Sequence, residues 1–213
     1  MIAAVFLAAV SSLSGTWSFS KDGGEWRNVR VPHDWAIEGP FDRKASGWQG
    51  KLPWKGEGRY RRTFDLSAAD RATLAEGGRA YLAFDGVMAS PRVKLNGKDL
   101  GGTDYGYMSF TIDATEAIRG SSNLLEVACS TKLHSSRWYP GAGLYRDVRL
   151  KVVPKRHVLP GTMRIVSEVA DDFSAAKVTV RYVSSVGGEQ AYSFKVEKPR
   201  LWSMDDQIGR AHV

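Results

Sequence analysis

The residues with the most chemistry to offer lie in one short run. Positions 135–147 read Ser-Ser-Arg-Trp-Tyr-Pro-Gly-Ala-Gly-Leu-Tyr-Arg-Asp. Trp138 and Tyr139 offer flat apolar faces with polar edges, and Arg137 beside them can donate paired hydrogen bonds to hydroxyls or to a carboxylate. A loop of this kind at the mouth of a β-scaffold suits a sugar, whose C–H face stacks on aromatic rings while nearby polar groups take its hydroxyls. The same residues would also serve as a plug for the end of a sandwich, with Arg137 in a structural ion pair. A second pair, His33-Asp34, sits between Pro32 and Trp35. Adjacent side chains on an extended chain point to opposite sides, so these two do not form an acid/base couple. Asp34 reads as a loop-fixing acceptor and His33 as a domain-contact residue. Cys129, the one cysteine, sits in an apolar run and reads as a small buried group; no disulfide is available and no base stands beside it in sequence.

These residues need elements to carry them, and the chain has ample length for that. Its 213 residues allow one large or two small domains with a real core. A hydrophobic fraction of 43% and a charged fraction of 25% are those of a globular chain. The net charge of +7 raises nucleic acid as a partner, but the cations alternate along strands, as in Arg59, Arg61 and Arg62, and never run five together. Nucleic acid is therefore not an expected partner. Residues 1–12 form an apolar run followed by small residues, too short to span a bilayer. They read as a clipped signal peptide, implying a secreted or periplasmic protein, with a first buried strand as the alternative. No other segment is a membrane candidate.

Apolar alternation and turn residues dominate the rest. Strands are expected at 16–19, 26–31, 59–66, 80–87, 90–95, 98–100, 107–112, 123–131 and 144–153. Asn96-Gly97 is the strongest hairpin signal. Residues 32–57 form a long irregular stretch in which Trp35, Trp48 and Trp54 read as packing residues, and 67–78 has room for one helical turn. Residues 154–160 look like a joint. Three further strands, 163–169, 177–184 and 192–196, fall short of the roughly seven of an immunoglobulin-like sandwich. The fold class is all-β: a jelly-roll β-sandwich over 13–154, then a partial immunoglobulin-like β-sandwich over 155–207.

The ordered motifs resemble the N-terminal region of glycoside hydrolase family 2, on its β-galactosidase side. They run Val31-Pro32-His33-Asp34-Trp35-Ala36-Ile37-Glu38-Gly39-Pro40-Phe41, then Gly56-Glu57-Gly58-Arg59-Tyr60-Arg61-Arg62-Thr63-Phe64. Phe84-Asp85-Gly86-Val87, Leu95-Asn96-Gly97 and Tyr105-Gly106-Tyr107 follow. Residues 136–148 close the first domain, and Pro199-Arg200-Leu201-Trp202-Ser203 matches the end of the second. The resemblance implies a sugar-binding-like jelly-roll, an immunoglobulin-like domain and then a TIM-barrel. That barrel would carry the two glutamates of a retaining mechanism, about 5 Å apart.

The resemblance places no catalytic residue in this chain, so the chain alone is expected to be inactive. The glycoside substrate would be met through the barrel. Arg137, Trp138, Tyr139, His33 and Asp34 are the candidates for the substrate rim or for domain contacts. Some relatives carry an acidic residue near position 137 that reaches substrate or a cation; Arg137 stands here, so no metal and no cofactor is expected. The alternative is a free-standing carbohydrate-binding module. Finally, Ile208-Gly209-Arg210-Ala211-His212-Val213 matches the translation of a common sequencing adapter, so this tail is expected to be non-native.

Overall fold

The computed structural model describes residues 9–45, 47–132, 136–201 and 204. Most of the expected signal segment, Trp202-Ser203 and the 208–213 tail lie outside the described residues. The chain divides into two compact units, with the boundary between Lys155 and Arg156.

The first unit is a jelly-roll-type sandwich of two antiparallel sheets. Strands β1 (Ala9–Ser12), β5 (Arg79–Phe84), β8 (Phe110–Asp113) and β10 (Val148–Val153) form one, in the order β1-β10-β5-β8. Strands β2 (Gly15–Lys21), β3 (Arg27–Val31), β4 (Glu57–Phe64), β6 (Arg92–Leu95), β7 (Lys98–Gly102) and β9 (Asn123–Ser130) form the other, in the order β3-β2-β4-β9-β6-β7. The two-residue alternation seen in sequence sorts the side chains. In β9, Leu125, Val127 and Cys129 point into the core while Glu126 and Ala128 face outward. Trp17, Phe19, Tyr60, Leu82, Phe84, Leu125 and Val127 meet between the sheets, each less than 2% exposed. Cys129 is buried there, its thiol pushed up to about 12 by burial, and its Sγ faces the Gly58 carbonyl at 3.7 Å.

Two local features exceed the sequence reading. Residues 9–12, read as the end of a signal peptide, pair with 149–152 as edge strand β1, so a mature chain cut after Ser12 would lose that strand. The 67–78 stretch holds the eight-residue helix α1 (Ala68–Ala75) rather than one turn. Its start is fixed by a capping box in which Asp70 N–H donates to Ser67 Oγ and Asp70 Oδ2 accepts from the Ser67 backbone. Asn96 and Gly97 both take positive φ, at 54° and 85°, as the two-residue hairpin requires. Asn96 does more than turn: its side chain also donates to Ala117 O and accepts from Leu124 N–H.

The second unit is a three-stranded antiparallel sheet of β11 (Arg164–Val169), β12 (Ala175–Ser184) and β13 (Gly188–Glu197), with β12 central. Its register puts Ile165, Val180 and Tyr192 in one cross-strand row and Ser167, Val178 and Phe194 in the next on the same face. The opposite face carries Arg164, Arg181, Glu168, Lys177 and Lys195.

Candidate functional site

Three loops of the first unit meet at one end of the sandwich: 32–56, 103–109 and 136–147. The first and third are laced together by their backbones. His33 N–H donates to Leu144 O at 2.7 Å and Trp35 N–H to Ala142 O at 3.2 Å. Gly143 in turn exchanges two hydrogen bonds with Met88, at 2.7 and 2.9 Å. Gly143 sits at φ +101°, and a Cβ there would lie 2.1 Å from Tyr60 Oη, so only glycine fits. Trp35 and Trp54 are buried, and their indole N–H groups donate to Trp54 O and Gly141 O. They pack as read from the sequence; Trp48 does not. It is 64% exposed, on the single 3-10 turn Gly47–Gln49.

The candidate residues divide between this buried frame and its exposed rim. Asp34 Oδ1 accepts from Ala36 N–H at 3.0 Å and also from the Tyr139 hydroxyl, fastening one loop to the other. Burial is the main influence pushing the Tyr139 phenol well above its usual range, reinforced by the Asp34 carboxylate, so it stays a donor. His33 lies inside the sandwich, its ring edge-on to Phe19 at 4.7 Å. Its Nδ1 is 2.8 Å from Tyr60 Oη and its Nε2 is 3.0 Å from Glu38 Oε1. Glu38 is also paired with Arg27. Any part His33 plays at the surface therefore runs through Glu38. Burial lowers the His33 pKa below its ordinary value, outweighing the hydrogen bond to Glu38 that would raise it. For Glu38, burial works upward, but the hydrogen bonds from Arg27 and His33 win and hold the carboxyl below its usual value.

Trp138 and Arg137 stand on the exposed rim. Trp138 is 59% exposed and donates its indole N–H to Tyr107 Oη at 2.7 Å. Tyr107 lies beside Tyr105 with ring centres 5.7 Å apart. Gly106 between them is buried, because Met88 Sδ and Val87 O leave no room for a Cβ, and its carbonyl accepts from Tyr145 Oη at 2.9 Å. The glycine thus sinks into the fold and turns both tyrosines outward. Arg137 has its guanidinium 5.9 Å from the centre of the Trp48 ring, and Gln49 Nε2 donates to Ser136 O. The loop carrying Arg137, Trp138 and Tyr139 is therefore held from the Gln49, Tyr107 and Asp34 sides. Trp48, Tyr105 and Tyr107 join the rim without having been singled out as candidates. An aromatic-glycine-aromatic triplet in a loop was the available signal for Tyr105.

Chemically, this is a surface for holding an amphipathic ring. Retaining hydrolysis needs two carboxyl groups, one kept protonated, across the scissile bond. Asp34 is spent on Ala36 and Tyr139, and Glu38 is held ionised between Arg27 and His33. Among the described residues, no group of three or more His, Cys, Asp or Glu side chains is placed to hold a metal ion. No helix among them is long and apolar enough to cross a membrane.

Comparison with known proteins gives concordant matches. A family model described as glycosyl hydrolase 2 galactose-binding domain-like matches residues 17–139. A β-galactosidase of Bacteroides ovatus is 39% identical over 63% of the chain, and a putative β-glucuronidase of Formosa agariphila is 30% identical over 87% of it. The chain spans 16% and 20%, respectively, of those two relatives. A crystal structure of a β-glycosidase from Bacteroides vulgatus superposes on 92% of the chain with a TM-score of 0.79 at 26% identity, and the match covers 30% of that chain.

Proposed function

The chain belongs to the glycosyl hydrolase 2 family, and from that premise we propose that it is the N-terminal part of a retaining glycosidase whose catalytic carboxylates lie in a barrel outside these residues. The jelly-roll supplies the non-catalytic rim. Trp138, Tyr107 and Arg137 meet the glycone or the group attached to it, while Asp34 and His33 hold the loops that carry them. The observation that supports this reading best is the fixed Trp138–Tyr107 pair, a platform of exposed rings on a buried glycine anchor. A β-galactoside is the favoured substrate, since the Bacteroides ovatus relative is named for that activity; a β-glucuronide is the competitor from the Formosa agariphila relative. The apolar N-terminal run supports a secreted or periplasmic setting. A free-standing carbohydrate-binding module is the competing reading, supported by the same exposed rings.

The test is made in the longer frame. Trp138→Ala and Arg137→Ala should each raise KM for an aryl β-galactoside by about tenfold while leaving kcat within about threefold, the signature of lost ground-state binding. Unchanged KM in both variants would remove the rim from the substrate path. Millimolar galactose binding by the 213-residue chain, abolished by Trp138→Ala, would instead favour the binding module.

A further inference from the structure

The outward face of the six-stranded sheet carries a second feature that the rim does not explain. Because Gly58, Tyr60, Val93, Leu95, Val127 and Cys129 point inward, their neighbours are forced outward. The register then sets Arg59, Ala128 and Arg92 in one cross-strand row and Arg61, Glu126 and Lys94 in the next. Small Ala128 makes a floor between two arginines about 10 Å apart across two strand spacings. Two clefts, of about 290 Å³ and 190 Å³, share Arg59, Arg92 and Ala128 and so form one trough along the sheet. Trp26 lines it at one end, 42% exposed, with the Arg61 guanidinium over its ring 4.3 Å from the ring centre.

The lining has more cations than carboxylates: Arg59, Arg61, Arg92 and Lys94 against Glu57 and Glu126. Arg61 is paired with Glu126 at 2.9 Å, and Arg92 reaches Asp104 at 3.4 Å, where Asp104 is 84% exposed. Among the described residues, Arg59 and Lys94 have no acidic partner within the 4.0 Å of an ion pair.

We propose that this trough binds a short stretch of an acidic oligosaccharide, with uronic-acid carboxylates held by Arg59, Arg92 and Lys94 and one sugar ring set against the Arg61–Trp26 pair. Guanidinium forks match carboxylates bidentately, and the exposed part of Trp26 beside Arg61 adds apolar surface for pyranose C–H groups. Glu126 on the floor accepts from sugar hydroxyls. None of the trough residues belongs to the three rim loops, so this site stands or falls separately from the rim.

Calorimetric titration of the 213-residue chain at low salt tests it, with a galacturonic acid tetrasaccharide, a neutral galactose tetrasaccharide and a short single-stranded DNA as probes. The acidic tetrasaccharide should bind, weaken by about tenfold or more in the Arg59→Ala/Arg92→Ala double variant, and weaken again with added salt. Trp26→Ala should weaken it as well, and the neutral sugar should not bind. Arg59→Gln/Arg92→Gln repeats the test should the alanine variant fail to fold. Absence of binding, equal binding by the double variants, or tighter binding of DNA than of the acidic tetrasaccharide would each overturn the proposal.

Discussion

The two units follow the same local rules and end in different states. Both are antiparallel sheets of alternating sequence with short turns. In the first, the apolar faces of two sheets close on each other, and Trp17, Phe19, Tyr60 and Phe84 vanish from solvent. In the second, the alternation is just as regular, but no second layer covers it among the described residues of that unit. Ile165 is 63% exposed, Tyr192 65% and Phe194 42%, all on one face. A sheet of this kind has a direction of burial without the burial, and three strands with an open apolar face are marginal in water. Alternation decides which side of a strand is apolar; a second layer decides whether that side contributes stability.

The contrast can be broken most sharply where the first unit is tightest. Gly143→Ala places a methyl group 2.1 Å from Tyr60 Oη in a left-handed backbone position. It should destabilise the first unit by about 4 kcal/mol or more, read as its melting transition, because strain and overlap add in a packed interior. A shift of under about 1 kcal/mol would mean that this loop junction yields.

A smaller effect is expected from His33. Its folded pKa is depressed, so the unfolded chain takes up a proton first as the pH falls. Stability should be level above the ordinary histidine value of about 6.5 and decline below it. Glu38, also depressed, adds its own loss only as the pH passes below the ordinary glutamate value of about 4.3. Between those values His33→Gln should flatten the slope of stability against pH, measured by denaturant titration. A wild-type curve that is already flat there would remove the buried neutral histidine from the account.

The second unit should respond least in folding and most in association. Tyr192→Lys/Phe194→Lys should leave the first unit's melting transition within about 0.5 kcal/mol while reducing concentration-dependent association in sedimentation. A first-unit transition lowered by more than this would mean that the open face stabilises it.

The strands were legible because their physics is local. Trp17 and Phe19, or Val127 and Cys129, lie two residues apart and share a face whatever lies far off in sequence. The order of motifs from Val31 to Tyr145 likewise exposed the loop cluster. What stayed hidden depends on contacts between distant residues. Trp35, Trp48 and Trp54 occupy one stretch with one residue type. The first and last are buried because their indole N–H groups find carbonyls at Trp54 and Gly141, while Trp48 is turned outward on a short 3-10 turn. Nothing within the stretch distinguishes them. His33 read as a domain-contact residue; its ring partners within the fold, Phe19 and Tyr60, come from other strands and no local pattern announces them. Strand β1 was read only as the alternative, because the same apolar run also fits an export signal.

The central proposal is that this chain carries the rim of a glycosidase and not its catalytic carboxylates. The direct measurement is hydrolysis of aryl β-galactoside and aryl β-glucuronide by the 213-residue chain beside the longer frame that contains it. The account predicts turnover by the longer protein on one of the two, and none above the uncatalysed rate by the chain alone. Turnover by the purified 213-residue chain would contradict it, because the catalytic carboxylates would then lie within these residues.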